Sequence, residues 1–149
     1  MLDFLTTDHS PAPPEVKQTE AGNFQTGWGG IAGLQFLLTA SWTALRDMMP
    51  LEKFIPLLTE HPAKFLKLND RKGRIQVGFD ADLVVWKPED KEVIKESSVL
   101  HRHKISPYIG EELYGSIKQT IIGGIPIYNC NGIIDEEIKN GQMVFGKQS

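Results

Sequence analysis

Two apolar runs near the C-terminus, Ile117–Ile122 and Ile125–Cys130, are separated by Gly123-Gly124 alone. A two-residue loop of glycines can adopt the positive φ angles that match the twist of paired strands, so this stretch predicts an antiparallel hairpin. Asn131-Gly132 marks a second tight turn before Ile133-Ile134. Further upstream, Arg74-Ile75-Gln76-Val77-Gly78 alternates and stops at a glycine. Asp80-Ala81-Asp82-Leu83-Val84-Val85-Trp86 reads as a turn and then a strongly apolar strand, closed by Pro88. Asp80 and Asp82 serve as turn and strand-start residues in this reading. The second half of the chain is therefore built from short strands.

The first half is helical. Ile31, Leu34, Leu38, Trp42 and Leu45 recur at three- and four-residue steps and predict a helix over about 31–47. A second helix starts at Pro50, with Leu51, Phe54, Ile55 and Leu58 on its apolar face and a kink expected at Pro56. A third, short helix begins near Pro62, and His61 before it reads as a structural helix-start residue. Between Ser10 and Gly30 lies a long polar segment rich in proline and glycine, which in a compact domain is either functional or a flexible linker. Phe24 and Trp28 argue against a plain linker.

Charge and cysteine content narrow the classes of function. Over 149 residues, 16 basic and 19 acidic side chains are interspersed, for a formal charge of −3. That balance gives no electrostatic footprint for nucleic acid or an anionic membrane surface. No apolar run reaches bilayer-spanning length and no signal segment opens the chain. A single cysteine, Cys130, excludes an internal disulfide and fits a reducing compartment, with a buried or edge thiol in a strand as its expected place. The expected setting is cytoplasmic, with an organellar location left open. Residues after about 135 are charged and expected to fray.

The chemistry-bearing stretch is at the other end. Leu2-Asp3-Phe4-Leu5 is a short apolar run that gives way to Thr6-Thr7-Asp8-His9-Ser10-Pro11. In barrels of parallel strands, catalytic groups stand where strands pass into loops at the C-terminal face, and Asp8 occupies such a junction. On spacing alone, Asp-x-Ser-Pro serves equally as an Asx-type turn or a helix cap. His101-Arg102-His103 has the spelling of a His-x-His metal pair. No strand pattern leads into it, so it reads as structural.

Thr7-Asp8-His9-Ser10-Pro11 resembles the last-strand motif of the cyclic amidohydrolases, which include allantoinases, dihydroorotases and dihydropyrimidinases. Gly22-Asn23-Phe24-Gln25-Thr26-Gly27-Trp28-Gly29-Gly30-Ile31 resembles allantoinases more closely than the others. His61-Pro62-Ala63-Lys64 and the run from Lys72-Gly73 to Trp86 are similar to the C-terminal region of the superfamily. Lys104-Ile105-Ser106-Pro107-Tyr108-Ile109-Gly110 is similar to a late segment that lies between barrel and sandwich. The likeness keeps its order from the first residues to about residue 133.

This resemblance implies an α/β-plus-β fold: the last strand–helix unit of an amidohydrolase (β/α)8 barrel over 1–68, then part of a small β-sandwich over 69–149. Within the second part, 99–115 would be the barrel-packing segment. A whole barrel needs roughly 250 residues, so the chain would be the C-terminal portion of a longer enzyme. The implied parent reaction is hydrolysis of the cyclic amide of allantoin to allantoate, in purine and ureide catabolism. The implied cofactor is a pair of zinc ions (Zn2+). Such a metal lowers the pKa of bound water and polarises a carbonyl. A carboxylate beside that water acts as general base and then general acid. Asp8 matches that carboxylate, which also touches one metal. His9, Ser10, Trp28, Gly29 and Gly30 match substrate-side positions, where glycines let backbone groups approach a cyclic ureide closely. The remaining metal ligands of the family, His-x-His, a carboxylated lysine and two histidines, would all lie upstream of Asp8, so the isolated chain is expected to be inactive. The expected partner is a small-molecule substrate, with neither nucleic acid nor membrane, and the full-length enzyme would be a homo-oligomer. Two alternatives stand beside this reading: a dihydropyrimidinase- or dihydroorotase-type cyclic amidase, or a non-catalytic truncated isoform acting as a scaffold.

Overall fold

A computed structural model describes residues 2–23, 25–134 and 141–146. The C-terminal half forms one antiparallel sheet in the simplest order, β1-β2-β3-β4. Its strands are β1 (Leu83–Val93), β2 (Glu112–Ile122), β3 (Ile125–Asn129) and β4 (Gly132–Ile133). Gly123 and Gly124 turn β2 into β3 with φ of 57° and 83°, the double positive φ that the hairpin reading required. The second turn falls one residue earlier than expected. Asn129 pairs with Gly132, leaving Cys130 and Asn131 in the loop, and Asn129 Oδ1 accepts the Asn131 N–H at 2.8 Å. Cys130 is therefore exposed at a turn and not within a strand.

Two strand expectations need correction. Pro88 does not close β1, which runs on to Val93. Lys87 pairs with Ser116 and Lys91 with Tyr114, so residues 88–90 bulge out opposite Gly115. A proline without a ladder donor is tolerated in such a bulge on an edge strand. Residues 74–78 form no strand: Ile75 and Val77 stand 91% and 100% exposed. The reason is local. Asp80 N–H donates to the Arg71 carbonyl at 3.0 Å, and the Asp80 carboxylate meets Arg71 at 2.8 Å and Lys72 at 3.0 Å. Lys72 also pairs with Asp82, whose other oxygen accepts the Gly123 N–H at 2.8 Å. The loop is thus tied into a turn before it can lie along β1. The two aspartates keep their structural reading, and Lys72 holds both carboxyls below their ordinary range.

The helices follow the apolar periodicity closely. Leu34–Phe36 forms a 3-10 turn leading into α2 (Leu37–Leu45), inside the 31–47 expectation. In this order α2 is the second α-helix, because Pro14–Lys17 forms an unexpected one-turn helix, α1, within the long polar segment. The third, α3 (Leu51–Leu58), continues two residues past Pro56 and breaks at Thr59 (φ −126°, ψ −78°) before α4 (Glu60–Phe65). The expected kink is thus a break just beyond the proline.

These helices and the sheet share an interior. Phe36, Ile94, Val99 and Leu113 are buried together, with Tyr108 and Ile109 packed against them. Trp42 sits between Phe54 (centroids 5.1 Å) and Trp86 (6.0 Å), and its indole N–H donates to the Pro88 carbonyl at 3.0 Å. The bulge at Pro88 thereby satisfies a buried donor on α2. Phe54 is 0% exposed, and complete burial of such a ring contributes about 1.5–3 kcal/mol. Segment 99–115 lies in this interior through Val99, Ser106 and Leu113.

The N-terminal run was expected to be a barrel strand. Leu2–Leu5 has no ladder partner among the described residues, whose one sheet is β1–β4. It lies instead against the helices. Leu5 N–H donates to the Leu57 carbonyl at 3.0 Å, Phe4 and Phe65 pack at 5.0 Å, and the His61 Nδ1–H donates to the Asp3 carbonyl at 2.6 Å. Among the described residues the four strands make a single layer. No helix among the described residues is long and apolar enough to cross a membrane.

Candidate active site

At Asp8 the extended N-terminal run turns, with φ of 45°, a left-handed conformation that aspartate tolerates better than most residues. Its side chain is exposed, and its carboxylate makes no hydrogen bond or ion pair among the described residues. The next residue is fixed. His9 Nδ1 accepts the Leu34 N–H at 3.1 Å, which places the proton of the neutral ring on Nε2. The His9 ring meets His101 edge-on at 5.9 Å.

Ser10 begins a closed loop. Its N–H donates to the Ile31 carbonyl at 2.9 Å, and its Oγ accepts the Trp28 indole N–H at 3.3 Å. Trp28 N–H donates to the Val16 carbonyl at 2.9 Å. Lys17 Nζ donates to three carbonyls: Ser10 at 3.1 Å, Gly29 at 3.1 Å and Gly30 at 2.6 Å. The loop and residues 103–107 border a cavity of about 610 Å³, lined by Trp28, Gly29, Gly30 and His103 among others.

Ser10, Trp28, Gly29 and Gly30 are thus brought together as one cluster, and Asp8 and His9 stand next to it outside the cavity wall. Lys17 is the residue that the sequence reading missed. A lysine in a polar loop whose acceptors are all backbone carbonyls leaves no residue-type signature in the sequence. His101 keeps both ring nitrogens out of solvent without a hydrogen-bond partner among the described residues, and burial pushes its pKa down. That is the environment of a packed neutral histidine.

The donor set can be tested against a zinc centre, which needs three or four convergent ligands. Among the described residues no group of three or more His, Cys, Asp or Glu side chains could hold a metal ion. Asp8 is a single exposed carboxylate, and His101 and His103 do not join it. The described residues therefore do not make a zinc site by themselves.

Residues 2–141 match the Amidohydrolase family, and the chain belongs to it. Within that family it is similar to allantoinases. The allantoinase of Bacillus licheniformis is 39% identical over 140 residues, covering 92% of this chain and 30% of that protein. The allantoinase of Salmonella newport is 41% identical over 130 residues, covering 86% and 28%. Among solved structures, the L-hydantoinase (dihydropyrimidinase) of Arthrobacter aurescens superposes with a TM-score of 0.81 at 27% identity, covering 90% of this chain and 30% of that one. The chain spans less than a third of the length of each of these relatives.

Proposed function

We propose that this chain is the C-terminal portion of an allantoinase-like cyclic amidohydrolase, whose complete form opens the hydantoin ring of allantoin to give allantoate. Residues 1–68 would close the barrel and 69–149 would belong to the flanking sandwich, with 99–115 between them. The exposed apolar side chains Ile75 and Val77 agree with a surface meant to be covered. Asp8 is the general base that takes a proton from the attacking water and hands it to the ring nitrogen as the carbon–nitrogen bond breaks. His9, Ser10 and the Trp28-Gly29-Gly30 turn orient the ring. The two zinc ions of the resemblance would find only Asp8 here, with their other ligands supplied from outside this sequence.

One observation carries the reading: a chain bearing Thr7–Pro11 and the 22–31 stretch is 39–41% identical to allantoinases over most of its length. The hydantoinase likeness, at 25–27%, shares the fold and sits lower in sequence. The test is a chimera in which this chain replaces the matching 140-residue segment of the Bacillus licheniformis protein. Ring opening of allantoin that disappears in Asp8→Asn supports the proposal. A folded chimera that opens dihydropyrimidine or dihydroorotate rings but not allantoin would replace it with the cyclic-amidase alternative. The isolated chain is expected to show no turnover.

A further inference from the structure

We propose that Lys17 is a positioning residue that clasps the Ser10–Ile31 loop shut and sets the Trp28-Gly29-Gly30 turn against Ser10. An ammonium group carries three donors and no acceptor. Here all three point at backbone oxygens from both ends of the loop, Ser10 at one end and Gly29 and Gly30 at the other. Two further links run beside it: Trp28 indole to Ser10 Oγ, and Ser10 N–H to the Ile31 carbonyl. Lys17 reaches the turn because α1 winds one turn after Pro13, with Val16 N–H and Lys17 N–H bonded back to the Pro13 carbonyl at 3.1 and 3.2 Å.

Charge-assisted hydrogen bonds are stronger than neutral ones, so three at one atom outweigh any other single contact in the loop. Closing a loop of this length costs conformational entropy, and the interior offers little to offset it: Val16, Trp28 and Ile31 all remain exposed. The clasp therefore supplies the closure that burial does not. It also occupies the Gly29 and Gly30 carbonyls, leaving N–H groups as the free polar edge of the turn. Asp8 lies two residues before Ser10, so holding the turn on Ser10 fixes its position relative to the proposed general base. The link to substrate rests on the allantoinase-like reading; the clasp itself does not.

The experiment is amide hydrogen exchange and the Trp28 indole N–H resonance in the 149-residue chain, for Lys17→Met and Lys17→Arg. In Lys17→Met, exchange at Ser10 and Trp28 should quicken tenfold or more and the indole resonance should shift toward that of free tryptophan. The β2–β3 amides should keep their parental rates. Lys17→Arg, which can still donate to the carbonyls, should recover most of the protection. Unchanged exchange in Lys17→Met overturns the clasp. Equal loosening of β2–β3 also overturns it, because Lys17 would then be a general stabiliser. An inactive chimera would remove the substrate reading and leave these rates untouched, so the two failures are distinguishable.

Discussion

The N-terminal arm, residues 2–31, and the helix–sheet body from Leu34 to Ile133 are held together in different ways. The body has an interior: Phe36, Trp42, Phe54, Val99 and Leu113 are all buried. The arm has Ala12 as its one buried apolar residue among those described. It is organised by polar contacts: Lys17 and His9 side chains bond backbone groups, and Ser10 Oγ accepts the Trp28 indole N–H. Burial is non-directional and resists local change, whereas a few hydrogen bonds fix one geometry and are lost one at a time. The contrast sets a body stabilised by burial beside an arm whose geometry rests on individual hydrogen bonds.

The largest effect should come from breaking the body. Phe54→Ala empties a fully buried site between α3 and Trp42, and should lower unfolding free energy by about 3–5 kcal/mol in urea titrations. Gly115→Ala comes next. Gly115 sits at φ 97° opposite the bulge, and a Cβ there would stand 2.8 Å from the Trp86 ring. Strain and contact together should cost about 1–3 kcal/mol by the same titration. Ser10→Ala belongs to the arm and removes only the indole partner at 3.3 Å. It should change global stability by less than about 1 kcal/mol while quickening exchange at the Trp28 indole. A Ser10→Ala midpoint shift as large as that of Phe54→Ala would abolish the distinction between the two regions.

The same contrast decides what the sequence could reveal. Helices with a buried stripe, such as α2 and α3, announce themselves because burial repeats with the helical period. The β2–β3 hairpin was legible because two adjacent positive φ angles select glycine. Residues 74–78 had the right alternation for a strand, yet the ion pairs of Arg71 and Lys72 with Asp80 and Asp82 bend them away, and those pairs depend on spatial proximity. Pro88 misled because the bulge that accommodates it is set by Gly115 on another strand. In the arm, Asp8 and its neighbours were readable as a motif, whereas Lys17 was not, since its partners are backbone carbonyls that every residue carries.

The smallest effect lies at the seam between the two regions, where His101 of the body meets His9 of the arm. Burial is the largest cause lowering the His101 pKa below its usual 6.5. The proton therefore binds more readily once the arm opens and His101 meets water. Over that window the open state holds more protons, so closure gains stability as pH rises and loses it as pH falls below about 6.5. Exchange protection at His9 and Ser10 should accordingly weaken modestly between pH 7 and pH 5, while β2–β3 protection keeps its parental pH dependence. His101→Gln cannot titrate, and its arm should show a flat profile through the same range. If the parental profile survives in His101→Gln, His101 does not set it and serves as packing alone.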